Sequence, residues 1–136
     1  MLEELKIIQH NAQKSSAAQI SVLETALETG TSIVLFQEPT ATRKPPIRFV
    51  SHPAFQRIEP LQDPSKYAKT RPRVLAYFSR SFPFDFSPRF DLCEDPDIQI
   101  FEIFAPETFF LVHIYNEKRV NAEGVSTKTI EVLTAL

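Results

Sequence analysis

The sequence of 136 residues is short of glycine and cysteine, and each shortage excludes a class of site. Two glycines are too few for a glycine-rich phosphate-binding loop. The single cysteine, Cys93, has no partner for an internal disulfide, which is compatible with a reducing compartment. No segment approaches the roughly 20 apolar residues of a membrane span, and the amino terminus lacks the basic and apolar regions of a signal peptide. We therefore expect an intracellular protein, nuclear or cytoplasmic, with no membrane partner.

The remaining composition is that of one ordinary globular domain. Hydrophobic residues make up 43% and charged residues 24%, which excludes a disordered chain and allows a substantial core. The net charge of -2 provides no overall attraction to nucleic acid, so any phosphate binding must come from a local basic patch or a metal. Eleven prolines predict stiff loops, above all between residues 39 and 70.

The first third of the chain has the pattern of a strand, a helix and a second strand. Residues 5 to 9 read as a short buried strand, and residues 33 to 36 form a continuous apolar run typical of a strand covered on both faces. Between them, Ser15 and Ser16 open a helix, with Gln19 placed as in a capping box, and Gly30 ends it. The expected buried face of this helix consists of Ala17, Ile20, Leu23, Ala26 and Leu27. Short joints favour two parallel strands with a right-handed crossover.

Both predicted strands end on polar residues, in "IIQHNAQKS" and "SIVLFQEPT". Because parallel strands finish at the same edge of a sheet, we expect Asn11 and Glu38 to lie close together, where ligands of α/β sheets bind. A carboxylate at this edge is able to hold Mg²⁺, which keeps several waters and needs few protein ligands. The ordinary alternatives are a loop acid that caps a turn and an asparagine that serves the turn itself.

The rest of the chain reads mainly as strands. "RVLAYFS", residues 73 to 79, predicts a strand, and "FPFDFSPRF" predicts an edge strand because of its prolines. "DIQIFEIF" and "TFFLVHIY" predict a hairpin around the turn at residues 105 to 107. Residues 126 to 136 have the pattern of a further helix.

Three further groups of residues are candidates for chemistry, each with a structural alternative. Tyr115 and Asn116 end a strand and have groups that bind phosphate or sugar, although a tyrosine half-buried at a sheet rim is equally ordinary. A basic loop is either a phosphate-contact segment or a solvated surface; its cations are Lys66, Lys69, Arg71 and Arg73. A run of acids fits no known calcium loop and reads as a solvated turn; these are Asp91, Glu94, Asp95 and Asp97. The three histidines lack metal-ligand spacing, and His113 in a strand reads as structural.

Four stretches in this order resemble the endonuclease/exonuclease/phosphatase superfamily, and among its members the endonuclease domains of LINE-type (non-LTR) retrotransposons. They are "LKIIQHNAQKS", "SIVLFQEP", "TRPRVLAYFSR" and "FLVHIYNEK". The resemblance implies an α/β (α+β) fold, a four-layer α/β/β/α sandwich of which residues 1 to 136 form about the first half. It also implies Mg²⁺-dependent hydrolysis of a DNA phosphodiester.

The same resemblance assigns roles to individual residues. It makes Glu38 the ligand of the divalent metal and puts Asn11, Tyr115 and Asn116 in the catalytic site. In the family's motif two prolines follow the tyrosine and asparagine, and here Glu117 and Lys118 stand in their place. The family's later motifs, an Asp-x-Asn pair and a closing Ser-Asp-His, would lie beyond Leu136.

Those missing motifs lead to expectations about activity and partners. We expect the chain alone to have no meaningful nuclease activity, with DNA as the substrate of a full-length parent. A truncated sandwich is also expected to leave a sheet face uncovered, which favours self-association, a covering partner or disorder near residues 80 to 95. Whether the chain is an enzyme stays open at this point. The alternatives are a non-catalytic relic that acts as a binding protein and another phosphodiesterase of the same superfamily.

Overall fold

The computed structural model describes residues 5–42, 48–60, 72–93 and 95–115. Within these ranges the chain forms one helix and seven strands in the order β1 (Ile7–Asn11), α1 (Ser16–Thr29), β2 (Ile33–Gln37), β3 (Phe55–Ile58), β4 (Val74–Ser79), β5 (Asp85–Pro88), β6 (Ile98–Phe104) and β7 (Phe109–Ile114). None of the helical residues described here forms a segment long and apolar enough to cross a membrane.

The strands are divided between two sheets. The first has the order β1-β2-β4-β3, in which β1 and β2 are parallel and the other pairs antiparallel. The second is an antiparallel sheet with the order β5-β6-β7, so the proline-containing β5 is an edge strand as its sequence predicts. The predicted parallel pairing of β1 with β2 and the predicted β6–β7 hairpin are both confirmed.

Strand β2, in the middle of the first sheet, is buried on both faces and has no polar side chain before Gln37. Val34 and Phe36 pack in one cluster with the helix, whereas Ile33 and Leu35 pack in another with the second sheet. This alternation is the period of two that a strand imposes. The described residues therefore form three layers, helix, sheet and sheet, which confirms a mixed α/β fold. The helix predicted at residues 126 to 136 lies outside the described residues.

The contact between the two sheets is largely aromatic. The ring of Phe78 on β4 stacks on that of Phe86 on β5, with centroids 4.0 Å apart, and lies 5.0 Å from the ring of Phe101 on β6. The inner face of the first sheet is therefore covered by strands of this same chain. The exposed aromatic side chains lie instead at the turn of the β6–β7 hairpin, on Phe104, Phe109 and Phe110. Self-association stays a prediction.

The helix begins and ends where the sequence predicts, but it buries a partly different face. The hydroxyl of Ser15 caps it by accepting a hydrogen bond from the Ala18 N–H (3.1 Å), and Gly30 ends it in the left-handed conformation at φ 70°. The expected capping box from Ser16 to Gln19 is wrong, because the Gln19 side chain is fully buried and accepts a hydrogen bond from the Thr40 N–H (2.7 Å). Of the five residues expected on the buried face, only Leu23 and Ala26 are buried, whereas Ala17, Ile20 and Leu27 are exposed.

Strand β1 also differs from its prediction. It runs over residues 7 to 11 rather than 5 to 9, and four of its five residues are exposed rather than buried. The physical reason is its place at the edge of the sheet, where only Ile8 packs against the core beside the helix. The shift makes Asn11 the last residue of the strand.

His113 is a buried polar residue between the sheets, in agreement with its predicted structural role. Its Nδ1 lies 3.1 Å from the side-chain oxygen of Gln99, whose amide nitrogen donates to the Ile58 carbonyl on β3 (3.0 Å). The histidine Nε2 is buried with no hydrogen-bond partner among the described residues. Burial lowers the pKa of His113 to about 3, because a charged imidazolium would lose its hydration.

Because the pKa of His113 is lowered, we predict that acid destabilises the fold through this residue. The unfolded chain takes up the proton near pH 6.5, and the folded chain only near pH 3. The contribution of His113 to the free energy of unfolding is therefore fully present above about pH 6.5. Below that pH it falls by about 1.4 kcal/mol per pH unit. Urea unfolding at pH 7 and pH 4.5 should show a smaller loss of stability in His113→Gln than in the wild type. Substitution of the exposed His10 by Gln is the control, and equal losses in the His113 variant and the wild type would contradict the prediction.

Candidate metal and phosphate site

The carboxyl ends of β1 and β2 meet at one edge of the first sheet, as the sequence predicts. Asn11 is paired in register with Gln37, the residue before Glu38. Beyond the ladder, the Ala12 N–H donates to the Gln37 carbonyl and the Lys14 N–H donates to the Glu38 carbonyl, each at 2.8 Å. Residues 11 and 38 therefore share a rim where both strands finish.

Glu38 has an unusual backbone conformation at this rim. Its φ of 50° lies in the left-handed region, which residues with a Cβ rarely occupy. The conformation is held from both sides, because the Glu38 N–H donates to the Arg73 carbonyl at 3.0 Å while its own carbonyl accepts from Lys14. Such strain persists only where the surroundings enforce it, and it is frequent at functional sites. Here it accompanies the turn by which the chain leaves β2 before Pro39.

The second sheet supplies the next side chain of the site. Tyr115 directly follows β7, and its hydroxyl points at Glu38, with an oxygen-to-oxygen distance of 3.4 Å to Oε1. The neighbouring Ile114 carbonyl accepts a 2.8 Å hydrogen bond from the amide nitrogen of Gln37. The ends of β2 and β7 are thereby tied together, and the phenol and the carboxylate are brought face to face across the two sheets.

An ion pair that the sequence did not predict lies next to the ring of Tyr115. Arg73 binds Asp97 with two nitrogens, Nε to Oδ1 at 3.0 Å and Nη2 to Oδ2 at 2.9 Å. The prediction that Asp97 belongs to a solvated turn is wrong, because its side chain is only 2% exposed. The two residues are 24 positions apart, so no local spacing signalled the pair. Gln37 was missed for the same reason, since its partner is 77 residues away.

Asn11, another predicted site residue, takes part in the turn after β1. The side-chain oxygen of Asn11 accepts a 2.9 Å hydrogen bond from the Gln13 N–H, which closes the turn after β1. This is the turn chemistry considered as the alternative, and it still leaves the amide NH₂ group as a donor at the rim. Four candidates lie outside the described residues: Asn116, Lys66, Lys69 and Arg71.

Glu38 is the described residue at this rim best suited to a metal. No group of three or more His, Cys, Asp and Glu side chains is found together in the described part of the chain. The half-buried Glu38 carboxylate nonetheless provides the hard oxygen that Mg²⁺ prefers. The acidic turn offers less, because Asp91 is engaged by the guanidinium of Arg89 at 2.7 Å.

Comparison with solved structures defines the class of fold. The chain shares the fold of an endonuclease domain, with a TM-score of 0.67 over 96% of its residues. The particular structure is the endonuclease domain of TRAS1, a telomere-specific non-LTR retrotransposon; the sequences are 17% identical, and the chain covers 52% of that domain. The resemblance predicted from the sequence is confirmed at the level of the fold. No family model matches the sequence, and no curated protein is a significant match.

The strained backbone of Glu38 makes a testable prediction. Asparagine tolerates the left-handed conformation better than other residues with a side chain, whereas alanine does not. Both substitutions remove the carboxylate, so Glu38→Asn should have a free energy of unfolding about 1 kcal/mol higher than Glu38→Ala. Urea unfolding measures both.

The same pair of substitutions at the helical residue Glu28 is the control. There alanine should be the more stable variant, since asparagine is the poorer helix former. If Glu38→Ala were as stable as Glu38→Asn, the backbone at residue 38 would not be strained.

Proposed function

We propose that this chain forms the amino-terminal, metal-holding part of a Mg²⁺-dependent DNA endonuclease of the non-LTR retrotransposon type. The observation that carries the proposal is the position of Glu38, whose carboxylate lies at the shared rim of β1 and β2 under the Tyr115 hydroxyl. The fold shared with a retrotransposon endonuclease domain supports the same conclusion.

In this proposal each residue has a distinct part in phosphodiester hydrolysis. Glu38 would hold the cation; its backbone is fixed in the left-handed conformation, and its carboxylate faces the Tyr115 hydroxyl. When bound, Mg²⁺ supplies positive charge that polarises the phosphoryl oxygen and stabilises the leaving oxygen. The Asn11 amide donates to a phosphate oxygen at the rim, and Asn116 adds a second amide. The basic residues Lys66, Lys69 and Arg71 contact the phosphates on either side.

The chain spans about half of the endonuclease domain whose fold it shares. We propose that the remaining catalytic groups, a base that orients the attacking water and a histidine at the scissile phosphate, belong to a longer parent protein. DNA is then the substrate of that parent, and the 136-residue chain by itself is a poor catalyst.

Metal binding is the most direct test of the role given to Glu38. Titration of the chain with Mn²⁺, followed by electron paramagnetic resonance of the free ion, should detect a site that Glu38→Gln weakens by more than about tenfold. This expectation follows because even a change in the groups around a metal's ligands commonly costs about 10- to 100-fold in affinity.

The matched control for the metal test is Glu28→Gln, which removes one exposed carboxylate at the far end of α1. Its Mn²⁺ affinity should equal that of the wild type. Equal affinities in the wild type and Glu38→Gln would contradict the assignment of Glu38 as the metal ligand.

Nicking of supercoiled DNA tests the activity of the chain by itself. In the presence of Mg²⁺ we expect no nicking above background, because the lack of a general base alone costs about 10² to 10⁴ in rate. Robust nicking that Glu38→Ala abolishes would show that the chain is a complete nuclease. Hydrolysis of small phosphoesters in place of DNA would point to another phosphodiesterase of the same fold.

A further inference from the structure

Arg73 is held in one orientation by its partner. Two of its nitrogens bind the two oxygens of Asp97 at 3.0 and 2.9 Å. Such a bidentate pair fixes the plane of the guanidinium as well as its position. Because Asp97 is almost completely buried, it has little freedom to follow a moving arginine. The planar guanidinium therefore has a fixed orientation just before β4.

The guanidinium of Arg73 lies against the ring of Tyr115. The guanidinium carbon of Arg73 is 5.1 Å from the centroid of the tyrosine ring, within the range of a cation–π contact. The main chain of the tyrosine is held by the same acid, because the Tyr115 N–H donates to the Asp97 carbonyl at 2.9 Å. Asp97 thus fixes Tyr115 twice, directly through its backbone and indirectly through the arginine on the ring.

The phenol needs such support, because its own contact with the site is weak. The distance of 3.4 Å between the Tyr115 hydroxyl and Glu38 is well above the 2.7–2.8 Å typical of hydroxyl hydrogen bonds. This contact alone does not set the direction of the ring. Arg73 reaches Glu38 through its main chain as well, since its carbonyl accepts the hydrogen bond of the Glu38 N–H. One residue therefore touches both the carboxylate's backbone and the ring that faces the carboxylate.

From this arrangement we propose that Arg73, clamped by Asp97, is a positioning residue that holds the Tyr115 phenol against the Glu38 carboxylate. The proposal rests on the proposed function, in which Glu38 binds the metal. It gives Arg73 a different task from the phosphate contact expected from its basic sequence neighbourhood. The Arg73 side chain is 37% exposed, which leaves a phosphate contact open to it as well, and the experiments below separate the two roles.

The test uses Arg73→Lys, which keeps a positive charge beside Asp97 but loses the flat, forked group. Mn²⁺ affinity should fall by about tenfold, as for other changes around a metal's ligands. Tyr115→Phe should cause a similar loss, and the double variant should lose no more than either one, because both act through the same contact. The control is Arg80→Lys, the same substitution at the exposed opposite end of β4, which should leave the affinity unchanged.

A second measurement needs no metal. With 3-fluorotyrosine at the three tyrosines, the resonance of Tyr115 is assigned by its loss in Tyr115→Phe. Glu38→Gln should shift this resonance when Arg73 is present and should no longer do so in the Arg73→Lys background. A merely structural arginine would lower the melting temperature on substitution and leave this coupling intact.

The outcomes separate the two proposals. If the fluorine coupling depends on Arg73 but Mn²⁺ binding does not depend on Glu38, the positioning role stands and the metal site fails. If Glu38-dependent Mn²⁺ binding and the fluorine coupling both persist in Arg73→Lys, the positioning role is overturned. Weaker binding to duplex DNA, with these two readouts unchanged, would overturn it in favour of a phosphate contact.

Discussion

The segment Gln37–Glu38 is the point at which the two sheets and the turn after β1 are tied together. Main-chain N–H groups of that turn bind both carbonyls of the segment, and the Glu38 N–H binds the Arg73 carbonyl before β4. The Gln37 side chain reaches the last carbonyl of β7. These hydrogen bonds leave the backbone of Glu38 one conformation, with φ at 50°, although its side chain makes that conformation unfavourable. This constraint sets the direction in which the Glu38 side chain leaves the main chain.

The candidate site consequently depends on how the sheets pack as much as on its own residues. Glu38 follows a strand of the first sheet and Tyr115 a strand of the second, and aromatic contacts of Phe78 pack the two sheets together. Protein interiors are packed densely enough that a change of one methylene group in such a layer is transmitted to its neighbours. Substitutions in this core are therefore expected to loosen the site without touching it.

The sequence was sufficient to predict the parts of the fold that depend on local pattern. The parallel β1–β2 pair, the Gly30 stop and the β6–β7 hairpin follow from periodicity and turn residues, and the rim shared by residues 11 and 38 follows from the parallel pair. The buried Gln19 and the Arg73–Asp97 pair could not be predicted, because their partners lie 21 and 24 residues away and only the tertiary fold brings them together. From sequence alone Gln19 looks like part of a helix cap, and Asp97 looks like part of a solvated acidic turn. The role of Glu38 as a metal ligand came from its place at a strand end and from the resemblance, and remains a proposal that its geometry supports.

The most direct test of that role is to locate a bound ion on the chain itself. Mn²⁺ added to the isotope-labelled protein broadens amide resonances in proportion to their proximity to the ion. We expect the broadening to be centred on the rim, at Glu38, the turn after Asn11 and Tyr115, and to disappear in Glu38→Gln. Broadening centred on the acidic turn at Asp91 and Asp95, or spread evenly over the surface, would contradict a metal site at Glu38.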